Sequence, residues 1–352
     1  VIPLFKPYMP ELPKLNEILH SGSLAYGSYS KQFEDSLKTY FNSPYILATN
    51  SFSSAISVVL SSYNIIEGDE IIVPPMACLA STQPFASLGL KIVWADIIPE
   101  KGTLCPDSVT TKITSKTKAI IHNHFCGYPG LVDEINVIGK KYGILIIDDG
   151  IECFGSEYKE RKIGDCGTDV TVFSFNPVRV PNTIDGGAII FNDKEKYEKA
   201  ILVRDCGIDR AVFRNNIGEI DEKCDIDLRG YSATMSNVNG YIGYEQMKIV
   251  DNLIAKQRIN AAKWQERLKT TIYSPIMTNL GEPNYWVYGI LVDNKLKAIE
   301  KFRNDGYYAS GVHINNNIYS VFGDKKPLKG VTDFYEKFVA LPCGWWMEED
   351  DN

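Results

Sequence analysis

Groups able to do chemistry gather at four places in the sequence. Thr49-Asn50-Ser51-Phe52-Ser53-Ser54 joins a strand-like run to a helical one. Small hydroxyl residues at a helix start act as caps, and the same terminus offers backbone N–H groups and the positive dipole end to an anion such as phosphate. Asp148-Asp149 closes an apolar run at 144–147. A carboxylate at a strand end is placed to hold a cationic ring nitrogen or a metal; an exposed pair or a helix cap would use the same letters. Phe173-Ser174-Phe175-Asn176-Pro177 ends another strand-like run in polar groups and leads to Asp185-Gly186-Gly187, where a glycine pair allows close backbone approach. His122-Asn123-His124 puts two imidazoles at i and i+2, on one strand face. With Asp149 they would form half a metal site; more often such a pair includes a hydrogen-bonded core histidine, and no metal is assigned.

The elements that must position these groups are legible as alternating runs. Short β-branched stretches recur at 45–49, 70–74, 92–96, 119–124, 144–148, 170–175 and 187–191. Most are continuously apolar, as strands covered on both faces are. Helical patterns lie between them at 53–62, 79–87 and 132–142. This alternation predicts an α/β fold with a mainly parallel, seven-stranded-type sheet flanked by helices. Ligands of such sheets gather beyond the carboxyl ends of the strands. A single long helix is expected over 235–268, then a strand at 286–292 and a helix at 296–305 stopped by Gly306. The change of pattern places a large domain at 1–244 and a smaller α+β domain at 245–352.

Composition bounds the function. The 352 residues allow two domains. With 37 basic against 44 acidic residues, net −7, the chain lacks the basic excess of a broad nucleic-acid surface. Its 44% hydrophobic and 23% charged residues are those of a globular protein able to build its core without staples. No apolar run is long enough to span a membrane, and residues 1–7 lack a secretory-signal pattern. Eight cysteines show neither C-x-x-C nor zinc-ladder spacing, which predicts reduced, mostly buried thiols in a cytoplasmic protein. The acidic tail at 348–351 reads as a solvated end.

In order, spacing and flanks the four motifs resemble those of the DegT/StrS-type sugar aminotransferases, within the fold-type I pyridoxal-phosphate (PLP) enzymes. The resemblance runs from Ile2-Pro3-Leu4-Phe5-Lys6-Pro7 through Asp69-Glu70-Ile71-Ile72-Val73-Pro74 and Ile163-Gly164-Asp165 to Gly311-Val312-His313 and Leu341-Pro342. It implies a homodimer with the cofactor at the subunit boundary. It also implies transfer of an amino group from glutamate to a keto sugar, usually nucleotide-linked, in polysaccharide or other sugar biosynthesis. By the resemblance, Asp149 matches the pyridinium partner and Ser174 a phosphate-binding serine in the loop that holds Asn176. Ser53 falls where the family has a phosphate-binding threonine, Phe52 where it has glycine, and His313 on the histidine of the substrate-side motif.

The departures shape the expectation. The lysine that would bind the cofactor covalently falls on Arg179, and no lysine occurs from 163 to 193. A guanidinium has no free amine and is a poor general base. The stacking aromatic falls on Cys78, the glutamine near the ring oxygen on Glu152, and a following histidine on Phe154. The asparagine that reaches the partner subunit falls on Ser232, with Thr234 where arginine is usual. The expected protein therefore holds PLP or its amino form PMP without a covalent bond, as the family's lysine-lacking dehydratases do. Two alternatives stand beside it. One is a cofactor-free binder of a sugar nucleotide or phosphate compound, with Arg179 a fixed cation or an ion-pair partner of Glu152 and Asp149. The other is a regulatory partner of an active paralogue.

Overall fold

The computed structural model describes residues 1–278 and 280–348; most of the acidic tail lies outside the described residues. Seven strands form the central sheet: β1 (Ile46–Thr49), β2 (Glu70–Val73), β3 (Lys91–Trp94), β4 (Thr117–Asn123), β5 (Leu145–Asp149), β6 (Val170–Ser174) and β7 (Gly187–Phe191). Their spatial order is β1-β7-β6-β5-β4-β2-β3. β7 is antiparallel to both neighbours, and the other pairings are parallel. The carboxyl ends of β1, β4, β5 and β6 therefore share one edge with the start of β7.

The continuous apolar runs split with period two. Ile71, Val73, Ala119, Ile121, Leu145 and Ile147 join one core, beneath the helix Phe52–Ser62. Ile72, Ile120 and Ile146 join another, with Ile135 and Ile138 of the helix Val132–Tyr142. Burying both faces is what makes these strands uniformly hydrophobic; each such aliphatic side chain contributes about 1.5–3 kcal/mol. A buried ion pair locks the β1 edge. Arg204 Nη1 donates to Glu34 Oε1 at 2.6 Å and to the Ala48 carbonyl at 2.7 Å, and the Ala48 N–H donates to the same Glu34 oxygen at 2.8 Å.

The helix expected over 235–268 is two helices, Asn237–Met247 and Val250–Leu268, broken at Ile249 with φ −126° and ψ −2°. They serve different layers. Gly240 lets the first helix press onto the backbone of Ser30, where a Cβ would sit 2.4 Å from its Cα. The second buries Leu253, Ile254, Ala261, Trp264 and Leu268. Beyond it a small antiparallel sheet orders Ser274–Pro275, Tyr288–Leu291 and Phe338–Leu341. The helix Lys295–Asn304 ends at Asp305, and Gly306 follows with φ +91°, the left-handed turn that glycine supplies. Among the described residues no helix is long and apolar enough to cross a membrane.

Candidate active site

Asp149 ends β5, and burial pushes its carboxyl up to about 6. The buried Ser81 hydroxyl, which has no hydrogen-bonded partner, lies close enough to favour the ionised form, as does the Ile151 N–H, which donates to Oδ1 at 3.1 Å. Glu152 follows one turn on. Its Oε2 accepts the Cys126 N–H at 2.7 Å, its Oε1 meets His313 Nε2 at 2.7 Å, and Arg179 Nη2 lies 3.6 Å from Oε1. Burial alone would raise Glu152; His313 first, then Arg179 and the Cys126 N–H, outweigh it and hold the carboxyl below its usual range. An ionised Glu152 accepts only, so His313 carries its proton on Nε2.

Arg179 is 7% exposed, and its guanidinium lies over the face of Trp286 at 4.3 Å. Trp286 stacks in turn on Phe5 at 4.4 Å and faces His313 at 6.3 Å. Nε and Nη1 of Arg179 are buried without partners. Cys78 caps the helix Leu79–Ser87, and burial drives its thiol up to about 11, so it stays protonated near neutrality. Three residues around this cluster hold left-handed backbone without being glycine: Cys126 at φ +54°, Tyr285 at +54° and Val312 at +57°. For a β-branched residue such a φ is an outlier costing on the order of 1–3 kcal/mol, and it aims His313 at Glu152.

The structure thus brings Cys78, Asp149, Glu152, Arg179 and His313 together. Around the start of the helix Phe52–Ser62, Ser51 caps by accepting the Ser54 N–H at 3.1 Å, and Ser53 is exposed. The Phe52 ring is turned into the core, so only its backbone is available at this helix start. Ser174 is buried with its hydroxyl accepting the Asn176 N–H at 3.3 Å, and Asn176 itself is exposed. Ser232 is exposed, and its carbonyl accepts from Asn50 Nδ2 at 3.1 Å, beside that helix start. Trp286 and Cys126 were missed in the sequence, because an aromatic and a thiol in apolar surroundings carry no signal apart from core packing.

The His122/His124 pair takes Asp148, not Asp149, as its carboxylate. The parallel register sets His122 against Asp148 and Asn123 against Asp149. His122 Nδ1 meets Asp148 Oδ1 at 2.8 Å, and His124 Nε2 lies 3.3 Å from the same oxygen. His124 Nδ1 accepts the Gly130 N–H at 3.0 Å, so its proton is on Nε2, facing Asp148. Burial keeps His122 below its ordinary range; Asp148, despite its burial, is held well below the carboxylate range by the two imidazoles. These three side chains place ligand-type atoms within 4.8 Å of one another. However, His122 Nε2 is packed against Gly130, where a Cβ would sit 2.2 Å away. The geometry is that of a hydrogen-bonded core cluster.

A family model described as the DegT/DnrJ/EryC1/StrS aminotransferase family matches residues 9–352. The chain belongs to that family. An uncharacterized protein, MJ1066 of Methanocaldococcus jannaschii, is 28% identical over 99% of this chain and 94% of its own length. The spore coat polysaccharide biosynthesis protein SpsC of Bacillus subtilis is 24% identical over 97% of this chain and 91% of its own. The sugar aminotransferase CalS13 of Micromonospora echinospora is similar in structure, with a TM-score of 0.91 at 25% identity, over 100% of this chain and 97% of that one.

The family is PLP-dependent. The residues of this chain fit that cofactor. The buried carboxylate at the end of β5 is suited to a pyridinium, and a helix start with Ser53 is suited to a phosphate. The guanidinium of Arg179 lies against Trp286 and Glu152.

Proposed function

We propose that this chain acts on a nucleotide-linked keto sugar in polysaccharide or other sugar biosynthesis and holds PLP or PMP without a covalent bond. In this reading it is a cytoplasmic homodimer, with residues 1–244 as the cofactor-type domain and 245–352 as the smaller one. The observation that carries it is Asp149 buried at the end of β5, in electrostatic reach of an Arg179 that stands where an amine would be required. When bound, the cofactor's protonated ring supplies an electron sink. Asp149 keeps that ring protonated, Ser53 and Ser174 bind the phosphate, and Arg179 and Glu152 form a fixed charged wall.

Titration of the purified chain with PLP and with PMP, followed by absorbance between 280 and 500 nm on the order of micromolar to millimolar cofactor, tests this. Saturable binding is expected, lost in Asp149→Ala, with no mass gain after borohydride reduction. A reduced adduct on any lysine would refute the non-covalent reading, and absence of binding at millimolar cofactor would end it. The second reading, a cofactor-free binder of a sugar nucleotide or phosphate compound, is favoured by one feature. Nε and Nη1 of Arg179 are buried and lack acceptors, as a cation awaiting an anionic ligand would. Binding of a sugar nucleotide with no cofactor uptake would select it.

A further inference from the structure

A site without a lysine still needs a group to move protons, and the pocket contains one arranged for that work. The His313 side chain is 15% exposed, and Glu152 holds its Nε2–H at 2.7 Å. In the neutral ring Nδ1 then carries the lone pair, with no hydrogen-bond partner among the described residues. Glu152 is fixed from behind by the Cys126 N–H, and the strained Val312 backbone fixes His313. Three of its neighbours are unsuited. Both Glu152 oxygens are engaged, the Cys78 thiol is protonated, and Arg179 cannot give up its proton. A carboxylate holding one imidazole nitrogen of a partly exposed ring, with the other nitrogen unpartnered, is the arrangement of a general base and its orienting partner.

We propose that His313 is the proton-transfer residue of this site and Glu152 its positioning residue. The inference rests on the keto-sugar reading and deepens it. Nδ1 takes a proton from the carbon beside the ligand's carbonyl. The C–H electron pair stays on the ligand, delocalised onto the carbonyl oxygen. Glu152 stabilises the imidazolium so formed, which returns the proton to another atom of the same ligand. The sequence of steps is a net isomerisation of protons and needs no oxidant or reductant. Arg179 keeps Glu152 ionised throughout.

Two measurements on the full-length chain test this. The first is the histidine ring ¹⁵N spectrum, with the His313 signals assigned by their loss in His313→Asn. The Nε2–H form is expected in the wild type. In Glu152→Gln that preference should disappear, because one amide oxygen cannot serve both the Cys126 N–H and the His313 Nε2–H. The second is deuterium uptake from D₂O at the carbon beside the carbonyl of GDP- and UDP-linked 4-keto-6-deoxyhexoses, with and without PMP. His313→Asn should slow uptake by about 10²-fold or more while the probe still binds in equilibrium dialysis. An Nδ1–H ring in the wild type, or uptake that survives in His313→Asn, overturns the proposal. Probe binding without uptake in the wild type overturns it too, yet leaves the keto-sugar reading standing. Failure of either probe to bind counts against that reading, and the tautomer alone then decides this proposal.

Discussion

Replacing Asp149 by asparagine should stabilise the ligand-free protein, and by an amount that depends on pH. The carboxyl rises from its usual 3.8 to about 6 because it is buried. At about 1.36 kcal/mol per pH unit of pKa difference, that is about 3 kcal/mol. The sign follows from which state holds the proton. Below pH 3.8 Asp149 is protonated folded and unfolded, and nothing is lost. Between 3.8 and about 6 the unfolded chain ionises while the folded chain keeps its proton, so stability falls as pH rises. Above about 6 the whole cost is present. Asparagine cannot ionise, its oxygen still accepts the Ile151 N–H, and its amide can serve the unpartnered Ser81 hydroxyl. Urea unfolding of both proteins at pH 4 and pH 8 isolates the effect, because the other titrating groups are common to both. Asp149→Asn should gain up to about 3 kcal/mol at pH 8 and little at pH 4. A pH-independent difference, or a loss at pH 8, would refute the argument that desolvation dominates at this site.

Two further perturbations test the frame around the site. Gly130→Ala drives a Cβ to 2.2 Å from His122 Nε2, and His122 cannot retreat while Asp148 holds its other nitrogen. A loss of about 1–3 kcal/mol in urea unfolding is expected, and wild-type stability would show that the cluster is loosely packed. Arg204→Met strands Glu34 as a buried, unpaired charge, costing about 3–5 kcal/mol. Adding Glu34→Gln should recover a large part of that loss, and strict additivity of the two changes would disprove the coupling.

The sheet is legible in the sequence because burial on both faces leaves mostly apolar residues between turns, and each of the seven expected runs overlaps a strand, with ends off by one or two residues at β3, β4 and β5. The break near Ile249 is not legible: neither glycine nor proline marks it, and it follows from two helices meeting different layers. Cys78, Asp149, Glu152, Arg179 and His313 could be named because polar or mismatched residues at strand ends and motif positions stand out. Trp286 could not, since only tertiary packing lays it against Arg179. The carboxylate of the His122/His124 cluster was misassigned by one residue for a similar reason. Side chains in a parallel sheet meet according to register, and register is a property of two strands at once.

The tension held at Val312 bears on how such a pocket changes over generations. Many substitutions there, glycine foremost, would relax the loop and make the fold sturdier while letting the imidazole wander. A change at this one position would thus trade the steadiness of a single ring for the ease of the whole loop.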